Sequence, residues 1–173
     1  MIHRSGRAWV FGDNIDTDAL APGAYLKYGI DEIARHCLEV IDPAFAVNVR
    51  PGDVVIGGRN FGAGSSREQA VEALRHLGVA AVVAPSFAGI FYRNALNLGL
   101  LALVCRSADQ IRGGDTVTID RASAQLTDVA TGAVHPCEPI AAHLLALVEA
   151  GGLVPWLERR LAAQRESRRN PPE

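Results

Sequence analysis

The segment GGRNFGAGSSREQA, from Gly57 to Ala70, combines four glycines and two adjacent serines that are followed directly by an arginine, Arg67. Glycines cost backbone entropy when a chain folds, so this density indicates that a ligand or another backbone approaches the loop closely. An apolar run of strand length precedes the segment and a helical pattern follows it. The first turn of a helix exposes unpaired N–H groups that favour negative charge. The segment therefore predicts an anion site, where Arg67 could offer a planar, two-donor contact to a carboxylate or phosphate.

Two known phosphate-binding patterns help to identify the anion. A Walker A loop needs Gly-Lys-Ser/Thr, but Gly64 is followed by Ser65 and no lysine lies nearby. The dinucleotide fingerprint G-x-G-x-x-G needs a glycine where Arg67 stands. Because both patterns fail, we expect a carboxylate ligand.

The adjacent serines fit two overlapping capping boxes, one beginning at Ser65 and one at Ser66. The pattern predicts that one serine caps the helix and leaves the other hydroxyl at the mouth of the loop, without fixing which. On the capping pattern alone, a purely structural role for both is favoured. No G-x-S-x-G elbow is present, and the five histidines form no pattern typical of a triad. A reactive serine here would need N–H donors, not a histidine, to stabilise its alkoxide.

The elements around this loop follow from the apolar periodicity. Their order, β-loop-α-β-α-β, predicts parallel strands joined by right-handed crossovers. We expect strands at 7–11, 53–56, 79–84 and 100–104 and helices at 31–40, 70–77 and 87–98, with 13–28 mostly a loop.

The rest of the chain predicts a strand pair followed by helices. Residues 116–120 and 125–129 alternate apolar and polar side chains, and 139–150 and the stretch from Leu153 onward have helical spacing. Residues 1–173 are therefore predicted to form one α/β domain, in which 157–173 is a terminal helix whose last residues, RESRRNPPE, fray.

Composition excludes several classes of protein. A formal net charge of −2 argues against a general nucleic-acid binder. The basic stretch from Glu158 to Arg169 alternates with acidic and polar residues, which is typical of a solvated helix. The amino terminus lacks the apolar stretch of a signal peptide, and no apolar run reaches about 18 residues, so no membrane span is expected.

The three cysteines, Cys37, Cys105 and Cys137, lie far apart and form no C-x-x-C pair. An odd number without a secretory signal favours reduced thiols in a cytoplasmic protein. This spacing also predicts no local metal site, so any metal would come from elsewhere.

Four segments carry a resemblance to a known family. They are FGDNIDTDAL, PGAYL, GGRNFGAGSSREQAVEAL and APSFAGIFYRNALNLGLL, in that order, and with short gaps they cover about residues 7–104. The chain resembles the small subunits of 3-isopropylmalate dehydratase, which are equivalent to the swivelling fourth domain of aconitase. The resemblance implies a single swivelling β/β/α domain of the aconitase C-terminal type, with a partly parallel sheet and a helical carboxyl terminus.

The resemblance also implies a cytoplasmic heterodimeric hydro-lyase that interconverts 2-isopropylmalate and 3-isopropylmalate in leucine biosynthesis. A large subunit would carry a [4Fe-4S] cluster on three cysteines, and this chain would hold no metal. In the family the first serine of G-S-S-R is the alkoxide base and the arginine holds a substrate carboxylate. Carried onto this chain, Ser65 is the base, Arg67 binds the carboxylate, and Ser66 is a helix cap or secondary contact.

Other polar residues have weaker predictions. Five polar side chains are expected to stabilise a tight loop, with a place in the active-site wall as the alternative, namely Asp13, Asn14, Asp16, Thr17 and Asp18. Asn60 either donates to a substrate carboxylate or stabilises the loop, and Arg93 is expected at the surface or a subunit interface.

In resembling small subunits, a loop that begins Tyr-Leu meets the group that distinguishes one substrate from another. Here the loop contains Tyr25, Leu26 and Lys27. An apolar third residue suits an isopropyl group, whereas a basic one could meet an additional carboxylate, although a lysine can also present only its methylene stem. Isopropylmalate is the first candidate, and homoaconitate, citraconate/citramalate and 2,3-dimethylmalate remain open. A non-catalytic carboxylate-binding or regulatory swivel module is the alternative of another class.

Overall fold

A computed structural model of the chain describes residues 5–169, with side chains as far as residue 166. Across these residues one mixed sheet runs in the order β4-β3-β2-β1-β5-β6-β7. From β4 to β1 the neighbouring strands are parallel, and from β1 to β7 they are antiparallel. The strands are β1 Ser5–Val10, β2 Val54–Ile56, β3 Ala81–Ala84, β4 Leu101–Val104, β5 Thr116–Asp120, β6 Gln125–Asp128 and β7 Val134–Pro136.

Helices cover both faces of the parallel half of the sheet. On one face, Val55 and Val82 pack with the apolar side of α4, and on the other, Val54 and Ala81 pack with Val148 of α6. Burial on both faces explains why these strands are continuously apolar. The helices are α1 Thr17–Leu20, α2 Ile30–Arg35, α3 Phe45–Asn48, α4 Glu68–His76, α5 Gly89–Asn97, α6 Ala142–Ala150 and α7 Leu153–Arg169, with 3₁₀ turns at Gly23–Tyr25 and Ala108–Gln110.

The predicted order of elements is confirmed, and the errors are local. Helix α2 ends at Arg35, short of residue 40, because Leu38 adopts a φ of +61° that interrupts helical geometry. Helix α6 begins at Ala142, three residues later than predicted. Short elements were missed, namely β7 and the single-turn helices α1 and α3. Fraying was predicted for residues 165–173. Of these, 165–169 belong to α7, which reaches Arg169, and 170–173 lie outside the described residues.

Asp53 is a buried carboxylate that fixes the turn before β2. It accepts hydrogen bonds from the Trp9 indole at 2.9 Å and from the backbone N–H groups of Arg7 at 3.0 Å and Arg50 at 2.9 Å. We predict that Asp53→Asn lowers the free energy of unfolding by about 2–4 kcal/mol, because an amide nitrogen then faces buried donors. Chemical denaturation measures the loss, with Asp109→Asn at an exposed position as the control. A loss equal to that of the control would contradict the assignment.

Candidate functional site

Two loops meet where β1 and β2 end. These strands are parallel neighbours, with Val10 opposite Ile56, so the chain leaves both at the same edge of the sheet. We call residues 12–18 the aspartate-rich loop and residues 57–67 the glycine-rich loop. Backbone hydrogen bonds join them along their length, from Gly58 N–H to the Gly12 carbonyl at 2.9 Å to Thr17 N–H to the Ala63 carbonyl at 2.8 Å. The loops therefore form one surface.

Close approach of backbone explains two of the glycines. A Cβ on Gly58 would lie 2.2 Å from a carboxylate oxygen of Asp13, and one on Gly62 would lie 2.1 Å from the Phe91 ring. Gly62 also has a φ of +81°, which other residues rarely adopt. Packing within the protein thus accounts for these two positions.

Acidic and amide side chains hold the two loops together. Asp13 accepts from the Arg59 backbone N–H at 2.7 Å and from its guanidinium at 3.1 and 3.2 Å. These bonds, the backbone one first, lower the pKa of Asp13. Asp16 caps α1 by accepting from Ala19 N–H at 2.7 Å. The structure thus supports the loop-stabilising role for these residues.

Asn60 belongs to the same set of contacts. Its amide donates to the side-chain oxygen of Asn14 at 2.9 Å, and its backbone N–H donates to the Ser86 hydroxyl at 2.9 Å. Both contacts correspond to the loop-stabilising alternative. A contact between Asn60 and substrate stays a prediction.

The capping prediction for the serines is wrong. Helix α4 begins at Glu68, its N-cap residue is Arg67 in an extended conformation, and no side chain caps it. Because the chain is still extended at Arg67, Ser65 and Ser66 stop short of the position from which a hydroxyl could cap. Both serines are exposed, and neither hydroxyl forms a hydrogen bond with the residues that the structure describes. Ser65 is held by its backbone instead, since its carbonyl accepts from the Thr17 hydroxyl at 3.0 Å.

Arg67 connects the glycine-rich loop to the segment that follows α1. Its side chain is 22% exposed, and one terminal nitrogen of the guanidinium donates to Asp18 at 2.6 Å and to the Ala21 carbonyl at 2.9 Å. The Arg67 bond, followed by one from Gly23 N–H, lowers the pKa of Asp18. The other terminal nitrogen lies 3.9 Å from where a Cβ on Gly23 would be. Arg67 thus lies beside the turn that carries Tyr25.

The predicted specificity loop is anchored through Tyr25. Its ring stacks on the His36 imidazole with centroids 3.6 Å apart and planes 5° from parallel. Leu26 packs against the core, whereas Lys27 is exposed and places its ammonium 5.1 Å from the Tyr28 ring. Tyr25 and Leu26 therefore fix the loop, and Lys27 is the member that faces outward.

The sequence did not single out His36. Its two ring nitrogens contact Glu39 and Glu32, and these contacts, Glu39 first, raise the pKa of His36. Burial and the charge of Glu39 raise the pKa of Tyr25 as well. The spacing of Glu32, His36 and Glu39, four and then three residues, is the helical signal that could have revealed the cluster.

The contacts of His36 with Glu32 and Glu39 make the stability of the fold around Tyr25 depend on pH. A raised folded-state pKa means that protonated His36 stabilises the fold fully below about pH 6.5, its ordinary pKa, and loses this effect as the pH rises through the raised value. We predict a stability decrease of under about 1 kcal/mol across that window, because the groups are partly exposed. An NMR titration of the His36 ring, with Glu39→Gln for comparison, measures it. A His36 pKa at or below the ordinary value, unchanged in Glu39→Gln, would contradict this.

Within residues 5–169, no group of three or more His, Cys, Asp or Glu side chains is arranged to hold a metal ion. The helices in the same part of the chain are too short or too polar to cross a membrane.

Comparison with known proteins places the glycine-rich loop in a recognised region. The family model for the aconitase C-terminal domain matches residues 17–108. The methanogen homoaconitase small subunit of Methanothermobacter thermautotrophicus is 49% identical over 86% of this chain and 87% of its own length. The 3-isopropylmalate dehydratase small subunit of Thermodesulfovibrio yellowstonii is 45% identical over 92% and 96%, respectively.

Two comparisons with Methanocaldococcus jannaschii proteins agree. Its isopropylmalate/citramalate isomerase small subunit is 40% identical over 91% of this chain and 95% of its own length. A crystal structure of a 3-isopropylmalate dehydratase from this organism superposes with a TM-score of 0.89 at 43% identity, covering 94% of this chain and 98% of that one. The similarity therefore extends through the fold as well as the motifs.

Proposed function

The chain belongs to the aconitase C-terminal domain family, and we propose that it is the small subunit of a hydro-lyase that interconverts 2-isopropylmalate and 3-isopropylmalate. The observation that carries this proposal is the exposed Ser65 hydroxyl at the end of the glycine-rich loop, two positions before Arg67 in the sequence. Residues 1–173 would act as one swivel-like domain, in the cytoplasm, at a step of leucine biosynthesis.

Ser65 is proposed as the base that removes the proton next to a substrate carboxylate. Its hydroxyl is exposed to an incoming substrate, and its backbone is fixed by the bond from Thr17. Helix α4 starts three residues later, and the N–H groups of a first helical turn have no partner within the helix. We propose that the positive end of this helix, in place of a histidine, favours negative charge on the Ser65 oxygen.

Arg67 is proposed to orient the substrate carboxylate. Asp18 and the Ala21 carbonyl hold one terminal nitrogen of the guanidinium. Its other terminal nitrogen makes no hydrogen bond to the described part of the chain, so it can donate to a ligand. A fixed guanidinium binds a planar carboxylate better than a mobile ammonium does. Ser66, exposed next to it, is a secondary contact.

The family's [4Fe-4S] cluster does not fit the donor set of this chain, since its described residues offer no metal-binding group. We therefore propose that a partner large subunit holds the cluster. Such iron supplies a Lewis acid that makes hydroxide a feasible leaving group. The part of this chain is to bind the diacid, orient it and move its proton.

Homoaconitate is the second candidate substrate. The relative named homoaconitase small subunit is 49% identical, and the exposed ammonium of Lys27 suits an additional carboxylate. We propose isopropylmalate first because the 45% identical relative, a 3-isopropylmalate dehydratase small subunit, matches this chain over 96% of its own length. The test is co-expression of this chain with its large subunit, followed by turnover assays with isopropylmalate, homoaconitate, citramalate and 2,3-dimethylmalate. Turnover of none of them by a cluster-loaded complex would overturn the proposal.

Lys27→Val is predicted to shift substrate preference toward isopropylmalate by about tenfold in the ratio of kcat/KM values. The substitution replaces an outward-facing charge with an apolar group, and Lys27→Arg keeps the charge as a matched control. The ratio for isopropylmalate against homoaconitate measures the shift. An unchanged ratio in Lys27→Val would remove this loop from substrate selection.

A further inference from the structure

The two outer strands of the sheet approach each other at a seam. The seam consists of the ends of β4 and β7 and the residues that follow each strand, namely 104–107 and 135–138. Glu138 N–H donates to the Val104 carbonyl at 2.7 Å and thereby joins the two edges. Cys105 and Cys137 lie on opposite sides of this seam. The Cys105 N–H donates to the carbonyl of Ala84 in β3, and the Cys137 N–H donates to the carbonyl of Ala124, just before β6.

The two sulfur atoms lie against the same short piece of chain. The Cys105 sulfur is 3.6 Å from the Pro136 carbonyl oxygen, and the Cys137 sulfur is 3.7 Å from the His135 carbonyl oxygen. Both sulfur atoms therefore lie against residues 135–136. Both are reduced, and the proposed hydro-lyase mechanism uses neither.

We propose that Cys105 and Cys137 are a peroxide-responsive thiol pair that forms a reversible disulfide and covalently closes the seam. The inference rests on the position of both sulfur atoms against residues 135–136 and on the backbone bond that joins the two edges. It is independent of the proposed hydro-lyase function.

The polar groups around Cys105 favour its thiolate. Hydrogen bonding from Cys137, and then from Ser107, lowers the pKa of Cys105 to about 6 against the opposing effect of burial. The Ser107 hydroxyl is 3.7 Å from the Cys105 sulfur and 3.2 Å from Nδ1 of His135, so the three side chains form a connected polar group. The pair therefore loses its first proton more easily than an isolated buried thiol.

Access assigns the two sulfurs different roles. Cys137 lines an open cavity of about 640 Å³, together with Arg106, Ser107 and Glu138, whereas Cys105 is completely buried. A peroxide therefore reaches Cys137 first, and Cys105 is the resolving nucleophile. Cys37, the remaining cysteine, is completely buried, and burial raises its pKa, so it serves as the internal control.

The chemistry balances with hydrogen peroxide as the oxidant. Hydrogen bonding with Cys105, followed by burial, raises the pKa of Cys137, so Cys137 must give up its proton as it reacts. This proton passes to the Cys105 thiolate while the Cys137 sulfur attacks a peroxide oxygen, the O–O bond breaks, and hydroxide leaves. The hydroxide takes the proton from Cys105 and becomes water. The Cys105 thiolate then attacks the Cys137 sulfenic sulfur, the S–O bond breaks, and a second hydroxide leaves as the disulfide forms. Two thiols are oxidised and one peroxide is reduced.

The test is limited oxidation of the full-length chain with hydrogen peroxide, followed by thiol counting, peptide mass mapping and thermal unfolding. We expect wild type and Cys37→Ser to lose two thiols each and to give a linked Cys105–Cys137 peptide pair that dithiothreitol separates. We expect the midpoint of unfolding to rise by about 5–10 °C, because the bond closes a loop of about 30 residues. Cys105→Ser should leave a Cys137 sulfenic acid that dimedone traps.

Two results would overturn the inference. One is oxidation of wild type that leaves Cys105 and Cys137 unlinked, whether as free thiols or as sulfinic acid. The other is a linkage that includes Cys37 or joins two chains. The mapping of wild type and Cys37→Ser decides between these outcomes even if Cys105→Ser does not fold.

Discussion

Replacing Ser65 with alanine will lower the turnover of the assembled enzyme by about a thousandfold, the usual contribution of a positioned general base. The Ser65 backbone is fixed by the hydrogen bond from the Thr17 hydroxyl, a contact that Ser66 lacks. The Ser65 hydroxyl is exposed and has no protein partner among the described residues. Steady-state turnover of the diacid substrate by the reconstituted complex measures the effect.

Ser66→Ala is the matched control for this variant. Ser66 is adjacent, equally lacks a capping role, and is exposed. We expect it to retain turnover within about tenfold of wild type, since a secondary contact contributes about one hydrogen bond. Both variants should bind the large subunit as wild type does. Wild-type turnover in Ser65→Ala, or equal losses in both variants, would refute the assignment of Ser65 as the base.

Arg67→Lys will lower kcat/KM by about 10- to 100-fold, mainly through KM, because lysine keeps the charge but loses the two-donor geometry. Asp18 and the Ala21 carbonyl hold one terminal nitrogen of the guanidinium, which leaves the other for the substrate carboxylate. A lysine has a single nitrogen and cannot make both sets of contacts with the same geometry. Initial-rate kinetics with the preferred diacid separate KM from kcat.

Arg59→Lys is the control, since Arg59 lies in the same glycine-rich loop but is exposed and paired with Asp13. We expect Arg59→Lys to change kcat/KM by less than about threefold, as for an exposed ion pair. A similar loss in both variants would show that disturbance of the glycine-rich loop, and not carboxylate binding by Arg67, is responsible. Unchanged kinetics in Arg67→Lys would remove Arg67 from the site.

The fold was predictable because its apolar patterns are strong. The stripe that contains Ala70, Val71 and Leu74 predicted α4, and Gly78, with a φ of +83°, ends it as expected. The partly parallel sheet and helical carboxyl terminus are confirmed, and so is the family resemblance. Edge strand β7 was missed, because it spans three residues and ends at Pro136, which weakens a strand signal.

The site was predictable in outline and not in its contacts. A capping box specifies side chains but not the backbone, and the φ of +101° at Gly64 together with extended Arg67 delays the helix beyond the reach of either serine. The stack of Tyr25 on His36 and the bond from Arg67 to Asp18 join residues distant in sequence. Single-sequence patterns carry no information about such tertiary contacts.

The most direct test of the central claim is a titration of the cluster-loaded large subunit with this chain, followed by turnover of 2-isopropylmalate. We predict no turnover by either polypeptide alone, and activity that rises with added chain until the two are stoichiometric. Activity of the large subunit that is complete without this chain, or a stable cluster-loaded complex that turns over none of the candidate diacids, would contradict it.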